Sequence, residues 1–184
     1  MGWSQGAQDV AAYIGQFGTE SLSGVVLVDS VVSHGSNEVD AHQQSSKMIV
    51  TNITRYLNDP AVFSRGMVKY IFKMPHPDLD VDEIVKFTMQ TPPDIGASML
   101  FMDMFGADRQ ASLAKLRLPA LVIASAESPY LDGQKEMASA IPGAQFVSIE
   151  EASHAVFVDQ PARFDAAVLA FLKTIPAWSP AGQH

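Results

Sequence analysis

Cysteine is absent from the 184 residues. Disulfides, thiolate nucleophiles and cysteine-ligated metal centres are therefore excluded. The absence accords with a reducing cytoplasm, which is the expected location. Charge is sparse, at 17% of residues, and unbalanced: 12 Lys and Arg against 20 Asp and Glu leave a net charge of -8. A chain of that sign repels phosphate backbones and anionic lipid, so neither nucleic acid nor membrane is expected as a partner. No apolar run approaches the roughly 18–20 residues of a membrane span. The first residues show neither a basic region nor an apolar signal segment, so nothing marks export. Repeats, low-complexity tracts and long charge runs are missing too. No G-x-G-x-x-G follows a strand pattern, which sets aside a dinucleotide-binding enzyme. No cofactor is expected.

What is present is enough for one domain with a sizeable core, since 47% of the residues are apolar. The chain opens on Gly2-Trp3-Ser4-Gln5-Gly6. This G-x-S-x-G pattern is that of a nucleophile elbow, a sharp strand-to-helix turn that presents a serine hydroxyl. The flanking glycines are expected where neighbouring backbone leaves no room for a Cβ. An elbow also needs a strand leading into it, and only one residue precedes this motif.

Apolar residues then fall at Ala7, Val10, Ala11, Ile14 and Phe17, a helical spacing that Gly18 ends. The β-branched run Gly24–Asp29 predicts a strand buried on both faces, as in a parallel sheet. From Ser30 to about Leu118 the pattern turns helical. Candidate helices are Val39–Leu57, Ala61–Phe72, Val81–Thr91 and Ala97–Phe105, separated by Asn58-Asp59-Pro60, Pro75-His76-Pro77 and Pro92-Pro93. The region is rich in Met and Phe: Met48, Phe63, Met67, Phe72, Met74, Phe87, Met89, Met99, Phe101, Met102, Met104 and Phe105. Most of these are expected to form the helical layer's own core, with some lining an adaptable apolar pocket.

Pro119–Ser125 predicts a second buried strand, followed by a helix near Gln134–Ile141 and a short strand, Gln145–Ile149. A loop, Glu150 to His154, leads to a last helix opened by Pro161, with Phe164, Val168, Phe171, Leu172 and Ile175 on one side. The tail, Pro176–His184, is expected to be loosely held. The expected organisation is a core segment 1–30, a helical lid or cap 31–118 and a C-terminal core segment 119–184. Alternating strands and helices at both ends imply an α/β architecture with a parallel sheet flanked by helices and a helical lid insertion.

A serine nucleophile needs a base within hydrogen-bond reach, and the base needs an orienting acid. His154 is the candidate base. It follows a strand on a loop, and in parallel sheets the loops at the strands' carboxyl ends meet at one edge. His34, His42, His76 and His184 read as solvated residues, and no metal site is expected among them.

Four stretches together resemble the α/β-hydrolase superfamily: Gly2–Gly6, Val25–Ser30, Leu118–Ile123 and Ser153–Pro161. More narrowly, they are similar to its lidded esterase, haloperoxidase-like and dehalogenase-like branch. The likeness is good at both ends of the chain and poor in the insertion. Asp108-Arg109 also looks familial, in a structural role. The resemblance implies Ser4 as nucleophile, His154 as base and the main-chain N–H of Gln5 as one oxyanion-hole donor. Two positions compete for the acid. Many members carry it after the strand matching Pro119–Ser125, where this chain has Ser128, with Glu127 one residue upstream. A minority carry it after the strand that follows the elbow, where this chain has Asp29. Asp103 and Asp132 are weaker candidates.

The implied fold is a partial one, without the strands and the second oxyanion loop that precede the elbow in the family. Loss of one oxyanion donor lowers rate by about 10²–10³. Uncovered strand edges invite aggregation. The 184 residues alone are accordingly expected to be unstable or inactive, as a truncated gene product or fragment would be. The implied function is hydrolysis of a carboxylic ester or related acyl bond in a small apolar substrate. A homo-oligomer stays open. The competing reading is a non-catalytic fragment or binding scaffold on the same fold.

Overall fold

A computed structural model of the chain describes residues 1–175; Pro176–His184, the expected loose tail, lies outside the described residues. Four parallel strands form one sheet in the order β1 (Gly2–Trp3), β2 (Val25–Val28), β3 (Ala120–Ser125) and β4 (Gln145–Ile149). Each strand is joined to its neighbour by a crossover, as parallel pairing requires. Helix α1 (Gln5–Phe17) connects β1 to β2, and α8 (Leu131–Ala140) connects β3 to β4. After β4 the chain runs through α9 (Val156–Asp159) into α10 (Pro161–Leu172).

Every residue of β2 and β3 is buried. Their alternate side chains feed two cores, one on each face of the sheet. One face packs Val25, Leu27, Ala120 and Val122 against α1, α8, Leu113 and Leu116. The other packs Val26, Val28, Leu121 and Ile123 against Phe164, Phe171 and Ile175, with Val168 and Leu172 alongside. Continuous β-branched runs are the sequence form of a strand covered on both sides, and both predicted runs behave so.

Helix α1 departs from its predicted face. Ala7, Ala11 and Ile14 are buried as the spacing predicts, but Phe17 is exposed and Gln8 is buried in its place. The reason is polar. Gln8 Oε1 accepts the N–H of Ser33 at 3.2 Å and its amide nitrogen donates to Val31 O at 3.3 Å. It thereby satisfies backbone groups just past β2 that have no ladder partner.

Between β2 and β3 lies the helical insertion: a 3-10 turn (Gly35–Asn37), then α2 (Glu38–Ala41), α3 (Gln43–Asn58), α4 (Pro60–Ile71), α5 (Val81–Thr88), α6 (Pro93–Phe105) and α7 (Gln110–Leu113). The helix predicted over 39–57 is broken at His42, whose φ of -137° is not helical. Side-chain caps set the starts of α4 and α5. Asp59 accepts the N–H of Val62 at 3.0 Å ahead of Pro60, and Asp80 accepts that of Glu83 at 2.9 Å.

The Met and Phe residues of the insertion do not form its core. Among the twelve, only Met104 is buried, while Met74, Phe87, Met89, Met99, Phe101 and Met102 are exposed. The helices pack side by side, α3 on α4 and α6, and α4 on α5. A single layer of helices covers one stripe of each and leaves the other open. In α6 apolar residues occur all round, so one side is necessarily uncovered. Among the described residues, no helix is long and apolar enough to cross a membrane.

Candidate active site

The parallel sheet brings the carboxyl ends of its strands to one edge, and the register aligns them. Trp3 pairs with Val28, and Val28 with Ile123. The next residues, Ser4 and Asp29, are therefore adjacent. Ser4 N–H donates to Val28 O at 3.1 Å, and Asp29 N–H donates to Ile123 O at 2.7 Å. Among the described residues, three non-glycine residues have positive φ, and all three lie just past strands: Ser4 (54°), Asp29 (42°) and Glu151 (58°). Such conformations cost about 1–3 kcal/mol each and persist only where surrounding structure enforces them.

At Ser4 the enforcement is visible. A Cβ on Gly2 would lie 2.1 Å from Gly6 O, so no side chain fits there while the turn is this tight. Gly6 differs from expectation, since a Cβ on it would meet nothing within 4 Å. The close approach falls on one glycine of the motif. Gln5, the first residue of α1, belongs to the turn whose N–H groups have no intrahelical acceptor.

Asp29 and His154 meet. His154 Nδ1 lies 2.8 Å from Asp29 Oδ2, with side-chain exposures of 18% and 3%, so the pair is shielded from water. The second carboxylate oxygen accepts the Ser125 N–H at 2.9 Å and Gln134 Nε2 at 3.1 Å. Both oxygens of a buried carboxylate are thus engaged, which fixes its orientation.

The loop bearing His154 is held on both sides. Ala155 N–H donates to Ile71 O at 2.8 Å, and Ser153 Oγ donates to Tyr70 O at 2.7 Å. These are carbonyls of the last turn of α4, which have no partner within their own helix. The buried Asp159 carboxylate accepts Ser153 N–H at 2.8 Å and Lys73 N–H at 3.0 Å, tying the same loop to the insertion. Trp3 contributes from the elbow. Its Nε1 donates to His154 O at 2.9 Å, and its ring lies 5.1 Å from the imidazole. Trp3 stands at a variable place of the elbow motif, so the motif gives no hint of this role.

The profile of the alpha/beta hydrolase family matches residues 1–167. The chain belongs to that family.

Among solved structures, a bromoperoxidase from Bacillus anthracis superposes with a TM-score of 0.77 at 24% identity, covering 94% of this chain and 66% of that one. An esterase from Exiguobacterium antarcticum gives 0.70 at 19% identity, covering 94% and 65%. An enol-lactonase from Burkholderia xenovorans gives 0.71 at 21% identity, covering 94% and 64%. The chain therefore spans just under two thirds of the length of each. No curated protein sequence matches it. At these identities the likeness is one of fold, and this chain carries a partial version of it.

The remaining candidates lie apart from His154. Glu127 pairs with Lys73 Nζ, and both side chains are largely exposed. Asp132 pairs with Lys135 at 3.3 Å on the surface of α8. Asp103 accepts from the Gln5 amide and from Arg109 Nη2, the latter at 2.6 Å. Arg109 thus fastens the end of the insertion to the residue after Ser4, in line with the structural role that Asp108-Arg109 suggests.

Two tyrosines border the site. Burial pushes the Tyr70 phenol up, and the nearby Asp29 carboxylate adds to the shift. Tyr130 is pushed up to about 12, by burial first and by Tyr70 second. Both are neutral hydroxyl groups at physiological pH. A cavity of about 380 Å³ lies in the insertion, with Phe72, Met74 and Leu79 among its walls. A second, of about 190 Å³, lies between α2, α3 and α8. Neither is lined by Ser4, Asp29 or His154.

Two histidines expected from sequence to be solvated, His34 and His42, are partly exposed and stand beside a buried glutamate. His34 and His42 flank Glu38, and one ligand atom from each of the three lies within 4.8 Å of the other two. The signal was present in the sequence as a spacing of four residues on either side of the glutamate. The predicted helix began at Val39 and left His34 and Glu38 outside it.

Proposed function

We propose that this chain is a serine hydrolase cleaving a carboxylic ester or related acyl bond in a small, mainly apolar substrate. Ser4 attacks the carbonyl carbon. His154 takes the hydroxyl proton and passes it to the leaving group. Asp29 holds the imidazole in the tautomer that leaves Nε2 free for this work. The N–H of Gln5 stabilises the oxyanion, and water then releases the acyl group from Ser4. The insertion over 31–118 serves as the lid, and its Met- and Phe-bearing surface accounts for the apolar preference.

The observation that carries this reading is the contact between His154 Nδ1 and Asp29 Oδ2, at 2.8 Å in a shielded site. It is supported by the strained backbone of Ser4, φ 54°, at the carboxyl end of β1. It is supported again by Lys73, which engages Glu127 and leaves Asp29 as the acid in contact with the base. The absence of cysteine accords with a cytoplasmic setting.

Labelling with a fluorophosphonate, read by mass spectrometry, tests it. One adduct on Ser4 is expected, absent from Ser4→Ala and from His154→Gln. A folded sample that stays unlabelled would refute the reading and leave a non-catalytic scaffold in its place.

A further inference from the structure

The insertion contains a second cluster of chemistry-bearing side chains, separate from Ser4, Asp29 and His154. His34, Glu38 and His42 recur at intervals of four: His34 stands just before the 3-10 turn, Glu38 opens α2 and His42 follows its end. Glu38 is only 2% exposed, so its carboxylate has left water. A buried carboxylate requires a cation or full hydrogen bonding in compensation. No Lys or Arg pairs with Glu38 among the described residues; its partner is His42, with Nδ1 3.1 Å from Oε1. Oε2 accepts the His34 N–H at 2.8 Å.

We propose that His34, Glu38 and His42 bind a divalent first-row transition ion, with Zn²⁺ the fitting probe. Two imidazoles and one carboxylate are a recurrent zinc donor set, and the lack of thiolate argues against Cu(I). The geometry is close to that needed. Ligand bonds of about 2.0–2.1 Å give a tetrahedron with edges of about 3.3 Å. The His42–Glu38 separation of 3.1 Å is near that edge. The three ligand atoms lie within 4.8 Å of one another, so the longest gap closes by rotation of an imidazole about its side-chain bonds.

Supporting contacts resemble those around bound metals. His42 Nε2 faces Glu136 Oε2 of α8 at 3.6 Å. His34 stands on fixed backbone. It forms an isolated bridge with Asp108, and the preceding Ser33 O accepts both Arg109 N–H at 2.9 Å and Gln110 N–H at 3.1 Å. Gly35, at φ 61°, lets this close approach occur, since a Cβ there would lie 2.6 Å from Asp108 N. Bound metal would join the start of the insertion to its end and, through Glu136, to α8.

Zn²⁺ titration of the chelator-treated chain by calorimetry, with Co²⁺ absorption as a second probe, tests this. One ion per chain is expected, with the visible bands of four-coordinate Co²⁺ and a rise in melting temperature. His34→Gln and His42→Gln are each expected to weaken binding by more than about tenfold. Both residues are half-exposed, and circular dichroism would report whether each variant keeps the fold. His76→Gln and His154→Gln are expected to bind as the parent does. No saturable binding would overturn the proposal and leave His42 as a simple hydrogen-bonding partner of Glu38. Binding lost in His154→Gln, or unchanged in His34→Gln and His42→Gln, would overturn it equally. The readouts do not depend on hydrolysis, so failure of the catalytic reading would leave this test intact.

Discussion

The sheet and the insertion are built on opposite terms. In the sheet all ten residues of β2 and β3 are buried, and two cores are shared among them. In the insertion one of twelve Met and Phe residues is buried and half are exposed. The sheet is specified by what it hides. The insertion is specified by its caps and by a few polar ties to the sheet edge. The candidate site draws on both. Ser4 and Asp29 stand on strand ends whose register is set by ladder hydrogen bonds. His154 stands on a loop held by the last carbonyls of α4 and by Asp159.

If that contrast is right, disturbing the strand-end constellation acts on chemistry, and truncating a single side chain on the open side of the insertion acts on almost nothing. The largest effect is expected at His154. His154→Gln should lower turnover of a short-chain aryl ester by a factor on the order of 10⁴–10⁶, whereas Met99→Ser should leave it near the parental value. Steady-state kinetics on both variants checks this.

Next come stability changes in the sheet. Leu27→Ala should destabilise by about 2–5 kcal/mol in urea unfolding, since its side chain is 1% exposed between packed layers. Phe101→Ser, on the open side of α6, should fall within about 0.5 kcal/mol of the parent. Equal costs would erase the contrast.

The ties between the regions rank third. Asp159→Ala removes the acceptor for Ser153 and Lys73 N–H and should cost about 1–3 kcal/mol. It should also slow fluorophosphonate labelling of Ser4, because the His154 loop loses its anchor. A helix cap confined to the insertion matters less. Asp59→Ala should cost about 1 kcal/mol without changing the labelling rate.

The smallest effect is confined to high pH. The Tyr130 phenol is raised to about 12 when folded, above its ordinary value of 10.0. Its neutral form is therefore favoured in the folded state, and the stability it contributes is fully present below about pH 10. That contribution is lost as pH rises toward 12. Tyr130→Phe should flatten the fall of melting temperature across that window and change nothing at neutral pH.

The buried strands were legible because a continuous β-branched run bounded by breakers has few other uses. Ser4 was legible as a candidate from its G-x-S-x-G motif, His154 from its loop after a strand pattern, and Asp29 from the family resemblance. The choice between Asp29 and Glu127 was not. Both follow strands, and what separates them is Lys73, distant in sequence, which takes up Glu127, and Ser125 and Gln134, which orient Asp29. Trp3 was invisible because its task is tertiary. The Met and Phe stretch misled because composition records apolar area without saying whether a second layer exists to cover it. His34, Glu38 and His42 show a regular spacing, but a 3-10 turn and a broken helix interrupt the helical pattern that would have drawn attention to it.

The most direct test of the Asp29–His154 pairing is the rate at which fluorophosphonate modifies Ser4 in two carboxylate variants. Asp29→Asn is expected to slow adduct formation by a factor on the order of 10⁴, and Glu127→Gln to leave it at the parental rate. A Glu127→Gln variant slowed as severely, or an Asp29→Asn variant labelled at the parental rate, would contradict the account.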